Sequence, residues 1–252
     1  MGFVFDHNAA LSCDQWLKTE TGRFIQELEA ELVVRLLKPA AGQRLLDIGC
    51  GTGYYLGLFK HLGLDVTGLD PSPHCLSLAQ QKLGQSVALY QGRAEDLPFE
   101  DNEFDVSVMI TSLEFMDDPY TALAEAARVT RQHILIATLN PYSLTAVFRR
   151  IKGIIHPTIY NRAKFRSLWG LKGLVKSVLG PTEVEWGSVT LLHSRPNKYF
   201  RWIERSRPAQ KNPLGAFIAL CTPAKYVFRA DPLHLVSSFK PDYLFHRAGL
   251  AR

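Results

Sequence analysis

A doubly wound α/β fold with a mostly parallel sheet is predicted for this 252-residue chain by three observations. Short apolar runs at 44–48, 65–70, 86–91, 103–110 and 133–139 alternate with segments of helical periodicity, the order expected when crossover helices join parallel strands. The first run ends in Asp47 and passes through Gly49-Cys50-Gly51-Thr52-Gly53 into the apolar segment from Tyr54 to Phe59, which reads as strand, tight turn and helix start. The 46% hydrophobic and 21% charged composition is that of a globular core, and no apolar run approaches the ~20 residues needed to span a bilayer.

Each element follows from its residues in turn. Phe3, Phe5, Trp16 and Leu17 are too aromatic for a free tail, so residues 1–40 are expected to pack on the core or fold over a ligand as a helical flap, with Trp16 reaching the ligand. Thr21 is the expected cap of a helix from Gly22 to Leu37, because Phe24, Ile25, Leu28, Leu32, Val33 and Leu36 recur at helical spacing and Lys38-Pro39 stops it. The Asp65–Asp70 run ends in an acid before Pro71-Ser72-Pro73, and Cys75 to Leu83 resumes the helical period. Asp70 lies 21 positions beyond Gly49, the spacing at which a strand–helix–strand unit brings a carboxylate to ribose hydroxyls. A third strand over Ser86 to Gln91 leads into Arg93-Ala94-Glu95, and the apolar fourth strand exits at Thr111-Ser112-Leu113-Glu114. In doubly wound sheets ligands sit beyond the carboxyl ends of the strands, so Thr111 and Glu114 are placed to face a site. A helix over Pro119 to Val129, a fifth strand, a helix over Phe165 to Leu179, a sixth strand over Glu183 to Leu192 and a seventh over Gly215 to Thr222 complete the pattern. One domain is expected: a core over 41–139, lid-like insertions at 140–181 and 193–213, and an extension over 224–252.

The glycine turn discriminates between two cofactors. A dinucleotide fingerprint requires Gly-x-Gly-x-x-Gly, yet the frames starting at Gly49 and Gly51 place Tyr54 and Leu56 at the sixth position, which opposes a nicotinamide-dependent oxidoreductase. What stands here, Asp-x-Gly-x-Gly-x-Gly over 47–53, closely resembles the first motif of the class I methyltransferases that use S-adenosyl-L-methionine. The Gly92–Phe99 segment resembles the adenine-contacting loop of the small-molecule enzymes that include the ubiquinone and menaquinone methyltransferases and the broad type 11 methyltransferase domain. The resemblance implies a Rossmann-like seven-stranded sheet with an antiparallel last strand. It also implies S-adenosyl-L-methionine as cofactor, with S-adenosyl-L-homocysteine as product. On it, Asp47, Gly49, Cys50, Gly51 and Gly53 hold the methionine end of the cofactor. Asp70 and Pro71 hold the ribose, and Arg93, Ala94 and Glu95 form the adenine loop, with Arg93 standing where relatives often carry an acid.

A sulfonium methyl is already activated, so few catalytic groups are required, and Glu114 is the candidate base for the acceptor. Charge is divided unevenly: 19 of the 24 acids precede Ala126, 21 of the 29 Lys and Arg follow it, and Ala126 to Thr182 contains no acid. That field suits an anionic small-molecule acceptor, an acidic carrier protein or a phospholipid surface, and nucleic acid is not expected. Leu144, Val147, Phe148 and Ile151 form an apolar stripe beside Arg149, Arg150 and Lys152, a basic amphipathic segment expected to cover the acceptor site. Asn140-Pro141-Tyr142 reads as a turn before that helix. Cys13, Cys50, Cys75 and Cys221 are scattered, which opposes a metal site or a disulfide framework. The first residues lack a basic signal region, and a cytoplasmic setting is the expectation. The leading function is methyl transfer to a small molecule; the alternatives are a catalytically silent cofactor-binding scaffold or the oxidoreductase opposed above.

Overall fold

The computed structural model describes residues 3–147, 161–191 and 198–224. A seven-stranded sheet runs through it: β1 (Arg44–Ile48), β2 (Asp65–Asp70), β3 (Ala88–Gln91), β4 (Phe104–Ile110), β5 (Thr130–Leu139), β6 (Glu185–Val189) and β7 (Phe217–Pro223). The spatial order is β3-β2-β1-β4-β5-β7-β6. The first five strands pair in parallel, while β7 lies antiparallel to both β5 and β6. The doubly wound, mostly parallel sheet with an antiparallel last strand is therefore present as expected. Among the described residues no helix is long and apolar enough to cross a membrane.

The strands read as continuous apolar runs because both faces of the sheet are covered. Leu45, Leu135, Ala137, Phe217 and Ala219 join a cluster beneath α2 (Glu20–Leu37) and α3 (Tyr54–His61). Their neighbours Leu46, Ile134, Ile136, Ile218 and Leu220 join the opposite cluster beneath α5 (Pro119–Val129) and α6 (Leu168–Leu179). The period of two along each strand thus divides one apolar run between two cores. α4 (Pro73–Leu83) flanks β2 and β3, and α7 (Lys198–Glu204) and α8 (Arg207–Gln210) lie between β6 and β7 in sequence.

Several local expectations need correction. α1 (His7–Lys18) precedes α2 and is capped by Asp6, whose side chain accepts from Ala9 N–H. α2 is capped by Thr19 rather than Thr21 and begins at Glu20. The Thr19 hydroxyl donates to the Trp16 carbonyl and accepts from Gly22 N–H, so one residue closes α1 and opens α2. A Cβ on Gly22 would lie 2.0 Å from the Trp16 carbonyl oxygen, and only glycine allows that corner.

The acid-free stretch Ala126 to Thr182 is divided among several elements. Its first part completes α5 and forms β5, with Arg128 held by Glu125 and Asp101. Its last part, α6, packs beneath the sheet through Leu168, Leu171, Leu174 and Val175. Leu144 and Val147 are exposed; Phe148, Arg149, Arg150, Ile151 and Lys152 lie outside the described residues.

Asn140 is buried and structural. Its amide donates to the Pro213 and Gly215 carbonyls at 2.8 and 2.9 Å, and its oxygen accepts from Tyr142 N–H at 3.1 Å. It therefore ties the β5 exit to the segment entering β7. Asn140→Ala is expected to reduce unfolding free energy by about 1–3 kcal/mol, since buried carbonyls lose their donors, with the m-value unchanged in urea titration; a loss below 0.5 kcal/mol, taken as roughly the scale of a surface substitution, would contradict this role.

Candidate functional site

The site forms where β1, β2 and β4 end and the chain turns away from the sheet. β1 delivers Asp47, 2% exposed, and the backbone then passes through Gly49 (φ +79), Gly51 (φ +53) and Gly53 (φ +82). Each left-handed position has its own reason. A Cβ on Gly49 would stand 2.4 Å from the Ser112 Cβ, so glycine lets the loops after β1 and β4 touch, and the Ser112 hydroxyl donates to the Ile48 carbonyl at 2.8 Å. A Cβ on Gly51 would meet nothing within 4 Å, because that face of the turn opens into the cavity. Gly53 packs against Ala79 and Leu83 of α4, and it does not line the cavity.

β2 delivers Asp70, whose two oxygens accept from Gly51 N–H at 2.9 Å and Ser72 N–H at 2.8 Å. Ser72 in turn caps α4 by accepting from Cys75 N–H and donates to the Phe5 carbonyl at 2.6 Å. The N-terminal segment is thereby strapped across the site. Phe3 N–H donates to the Phe115 carbonyl, and the rings of Phe3, Phe5 and Phe115 pack with centroids 5.1–5.9 Å apart. After β3, Arg93 pairs with Asp117 at 2.6 Å and reaches Glu95 at 3.5 Å, while Glu95 accepts from Asp117 and Asp118 N–H.

These elements enclose a cavity of about 1000 Å³, the upper end of the ~300–1,000 Å³ typical of ligand sites. Of the residues expected at a cofactor, Trp16, Asp47, Gly49, Cys50, Gly51, Asp70, Pro71, Arg93, Ala94, Glu95 and Thr111 line it together. Glu114 does not. Its carboxylate accepts from Leu139 N–H at 2.8 Å, and it borders a smaller adjoining cavity of about 350 Å³ with Asp6, Arg162 and Lys164. The short 3₁₀ turn Leu113–Phe115 directs Phe115 to the large cavity and sends Glu114 back to the β5 exit. Sequence reasoning did not single out Gln26 and Glu29 of α2, Tyr55 of α3 or Thr190 after β6, all of which line the cavity. The 26/29 spacing, one helical turn of polar residues beside the apolar stripe, is the signal that was available.

Electrostatics single out the acids. Burial, reinforced by Asp70, pushes Asp47 up to about 8. Burial also raises Asp70, against the opposing pull of the Ser72 and Gly51 N–H groups. Cys13, Cys50 and Cys75, which line the same cavity, are raised by burial, so their thiols stay protonated. A buried carboxylate beside an open glycine turn is matched by a ligand that brings a cation. The ammonium of S-adenosyl-L-methionine supplies one, Gly51 leaves room for its chain, and Asp70 stands at the next strand for a ribose. The residues present therefore fit that cofactor.

Sheet order, crossover pattern and site position together define the Rossmann-like class I methyltransferase fold. Residues 46–137 match the family described as Methyltransferase domain. A chloroplastic 2-methyl-6-phytyl-1,4-hydroquinone methyltransferase 1 of Oryza sativa subsp. japonica is 35% identical over 133 residues, covering 52% of this chain and 36% of that protein. The O-methyltransferase cnsE of Penicillium expansum is 33% identical over 163 residues, 60% of this chain and 59% of its own length. The crystal structure of a SAM-dependent methyltransferase from Thermotoga maritima superposes with a TM-score of 0.68 at 22% identity, over 87% of this chain and 97% of that one. This last likeness establishes the fold. The chain spans 36% of the length of the rice enzyme and 43% of that of a second, 2-methyl-6-phytyl-1,4-hydroquinone methyltransferase 2 of the same organism.

Asp47 makes stability depend on pH with a definite sign. Its folded-state pKa is raised above the unfolded value of about 3.9, so between there and about 8 the folded protein holds a proton the unfolded chain has lost. Stability of the free protein accordingly falls as pH rises through that window. Asp47→Asn should flatten the slope by up to about 1.4 kcal/mol per pH unit, the value of one proton. Urea unfolding of both proteins at pH 5, 6 and 7 measures this, and parallel slopes would contradict it.

Proposed function

We propose that this protein is an S-adenosyl-L-methionine-dependent methyltransferase acting on a small molecule with an apolar body. The observation that carries the reading is the arrangement of Asp47, the open Gly51 turn and Asp70 along one cavity wall, at the ends of adjacent strands. Asp47 meets the ammonium, the glycine turn admits the methionine chain, Asp70 accepts from the ribose hydroxyls, and Ala94 and Glu95 border the adenine. When bound, the cofactor supplies an activated methyl group. The chain's own task is to hold the acceptor in line with it and exclude water. Phe3, Phe5, Trp16, Phe115 and Met116 supply apolar walls for that purpose.

Two expectations change on this reading. Glu114 is a positioning residue that joins the β4 and β5 exits through Leu139, and no base is assigned to it. An anionic acceptor or an acidic carrier finds no support in the described lining, where the one cationic side chain is Arg93, already paired with Asp117. The curated relatives described above include an enzyme named for a hydroquinone and one named an O-methyltransferase, which agrees with a neutral acceptor.

Calorimetry tests the cofactor assignment. S-adenosyl-L-homocysteine should bind and NAD should not, and Asp70→Ala should weaken binding by about 1.5–3 kcal/mol through loss of charge-assisted hydrogen bonds. Arg93→Ala should change it by less than about 0.5 kcal/mol, as an exposed, paired side chain does. NAD binding without S-adenosyl-L-homocysteine binding would overturn the reading. Conversion of the bound donor to S-adenosyl-L-homocysteine with a panel of hydroxylated ring compounds separates an enzyme from a silent scaffold.

A further inference from the structure

Two walls of the large cavity come from segments far apart in the chain. α1 contributes Ala9, Cys13 and Trp16, and the glycine turn contributes Gly49, Gly51 and Thr52. One side chain touches both segments without itself lining the cavity. Lys82, on the last turn of α4, pairs its ammonium with the Asp14 carboxylate of α1 and donates to the Thr52 carbonyl at 2.9 Å. An ammonium carries three donors, and here they serve two elements that share no strand.

Each partner stands where a small shift would alter the site. Asp14 follows Cys13 of the cavity wall, and its side chain is only 8% exposed. Among the described residues its pair with Lys82 is the one ion pair between α1 and another element. Burial opposes the charge on Asp14, yet the hydrogen bonds from Lys18 and Lys82 lower its pKa, so the carboxylate stays ionised at neutral pH. At the other end of the connection, Thr52 lies between Gly51 and Gly53, both at positive φ, where the backbone has little preference of its own. A peptide unit is planar, and its carbonyl and N–H point in opposite directions. With the Thr52 carbonyl held by Lys82, the Gly53 N–H is aimed at the Cys50 carbonyl, to which it donates at 3.0 Å. Lys82 thereby fixes the orientation of one peptide plane in the turn.

We propose that Lys82 is a positioning residue for the cofactor: it couples α1 to the glycine turn, so that the α1 wall is held in place beside a ligand bound at the turn. The inference rests on the methyltransferase reading for the identity of that ligand. Coupling of this kind is reciprocal. A ligand that orders the turn also holds α1, and a protein whose α1 is released binds the ligand more weakly, in proportion to the fraction of molecules with α1 in place. Removing Lys82 leaves Asp14 with Lys18, 2.8 Å away on the same helix, so the carboxylate keeps a counter-charge and what is lost is the connection.

The experiment uses the full chain with S-adenosyl-L-homocysteine as the probe. Calorimetry should find affinity lowered about 5-fold or more by Lys82→Met and by Asp14→Asn. Lys82→Arg, which keeps the charge and the donors, should recover most of the loss. The double variant should lie within about twofold of Lys82→Met, because both changes break one connection. Hydrogen exchange supplies the readout that a merely structural lysine would not move: the ligand should slow the amides of residues 7–18 in the wild type, and this slowing should disappear in Lys82→Met. Unchanged affinity in Lys82→Met, independent losses in the double variant, or α1 amides indifferent to the ligand in the wild type would overturn the proposal. If Lys82→Met does not fold, Asp14→Asn, in which Lys82 retains the Thr52 carbonyl, carries the same two measurements. If S-adenosyl-L-homocysteine does not bind the wild type, the methyltransferase reading falls. Exchange in the free protein then decides the coupling: Lys82→Met should speed residues 7–18 and 50–53 together, and a change confined to one of them would overturn it.

Discussion

Two carboxylates buried side by side at the ends of β1 and β2 are the constraint on which the site depends. Asp70 spends both oxygens on backbone N–H groups, one in the glycine turn and one at the start of α4. Through Ser72 the same residue reaches the N-terminal strap, because the Ser72 hydroxyl holds the Phe5 carbonyl. Through Gly49, whose missing Cβ admits Ser112, the turn is keyed to the β4 exit. Four segments distant in sequence are thus fixed around one acid. Asp47 lies inside that frame without the compensation Asp70 receives, which is why burial raises it so far. A group that destabilises the free protein at neutral pH and sits in a cavity is the expected signature of a site completed by a cation.

The half of the cavity proposed for the nucleoside brings together residues that the sequence singles out, because it is encoded locally. A strand, a glycine turn, a helix and a second strand ending in an acid form one supersecondary unit, so the spacing from Gly49 to Asp70 carries three-dimensional information. Errors arose where several residues of one type competed for a role. Gly53 belongs to the same motif as Gly51, yet a Cβ there would meet Ala79 and Leu83 of α4, whereas one on Gly51 would meet nothing. Thr19 and Thr21 both suit a helix cap, and the choice is made by the Trp16 carbonyl, a contact invisible before α1 is known. The direction of Glu114 depends on a single turn of 3₁₀ helix, which puts it on the smaller adjoining cavity.

The other half was not legible, because it is assembled from residues far apart in the chain. Gln26, Tyr55, Thr111, Leu139, Thr190 and Ala216 meet only after α2 packs across β5, β7 and β6. Bulk charge is a coarser guide for a related reason. The basic second half of the chain suggested an anion, yet among its described residues Arg128 is bound to Glu125 and Asp101, while Arg201 and Arg205 lie against Glu27 and Glu31 of α2. Net charge describes a surface field, whereas recognition at a buried site is set by the few groups that line it.

The central claim is that Asp47 is an acid awaiting the ammonium of the cofactor. It is tested most directly by comparing S-adenosyl-L-homocysteine with its deaminated analogue by calorimetry, in the wild type and in Asp47→Asn. The account predicts that removing the amine weakens binding to the wild type by at least about 10-fold, the equivalent of roughly 1.4 kcal/mol. It also predicts that the difference shrinks to within about threefold in the variant, since the charge partner is gone. Equal affinity of the two ligands for the wild-type protein would contradict it.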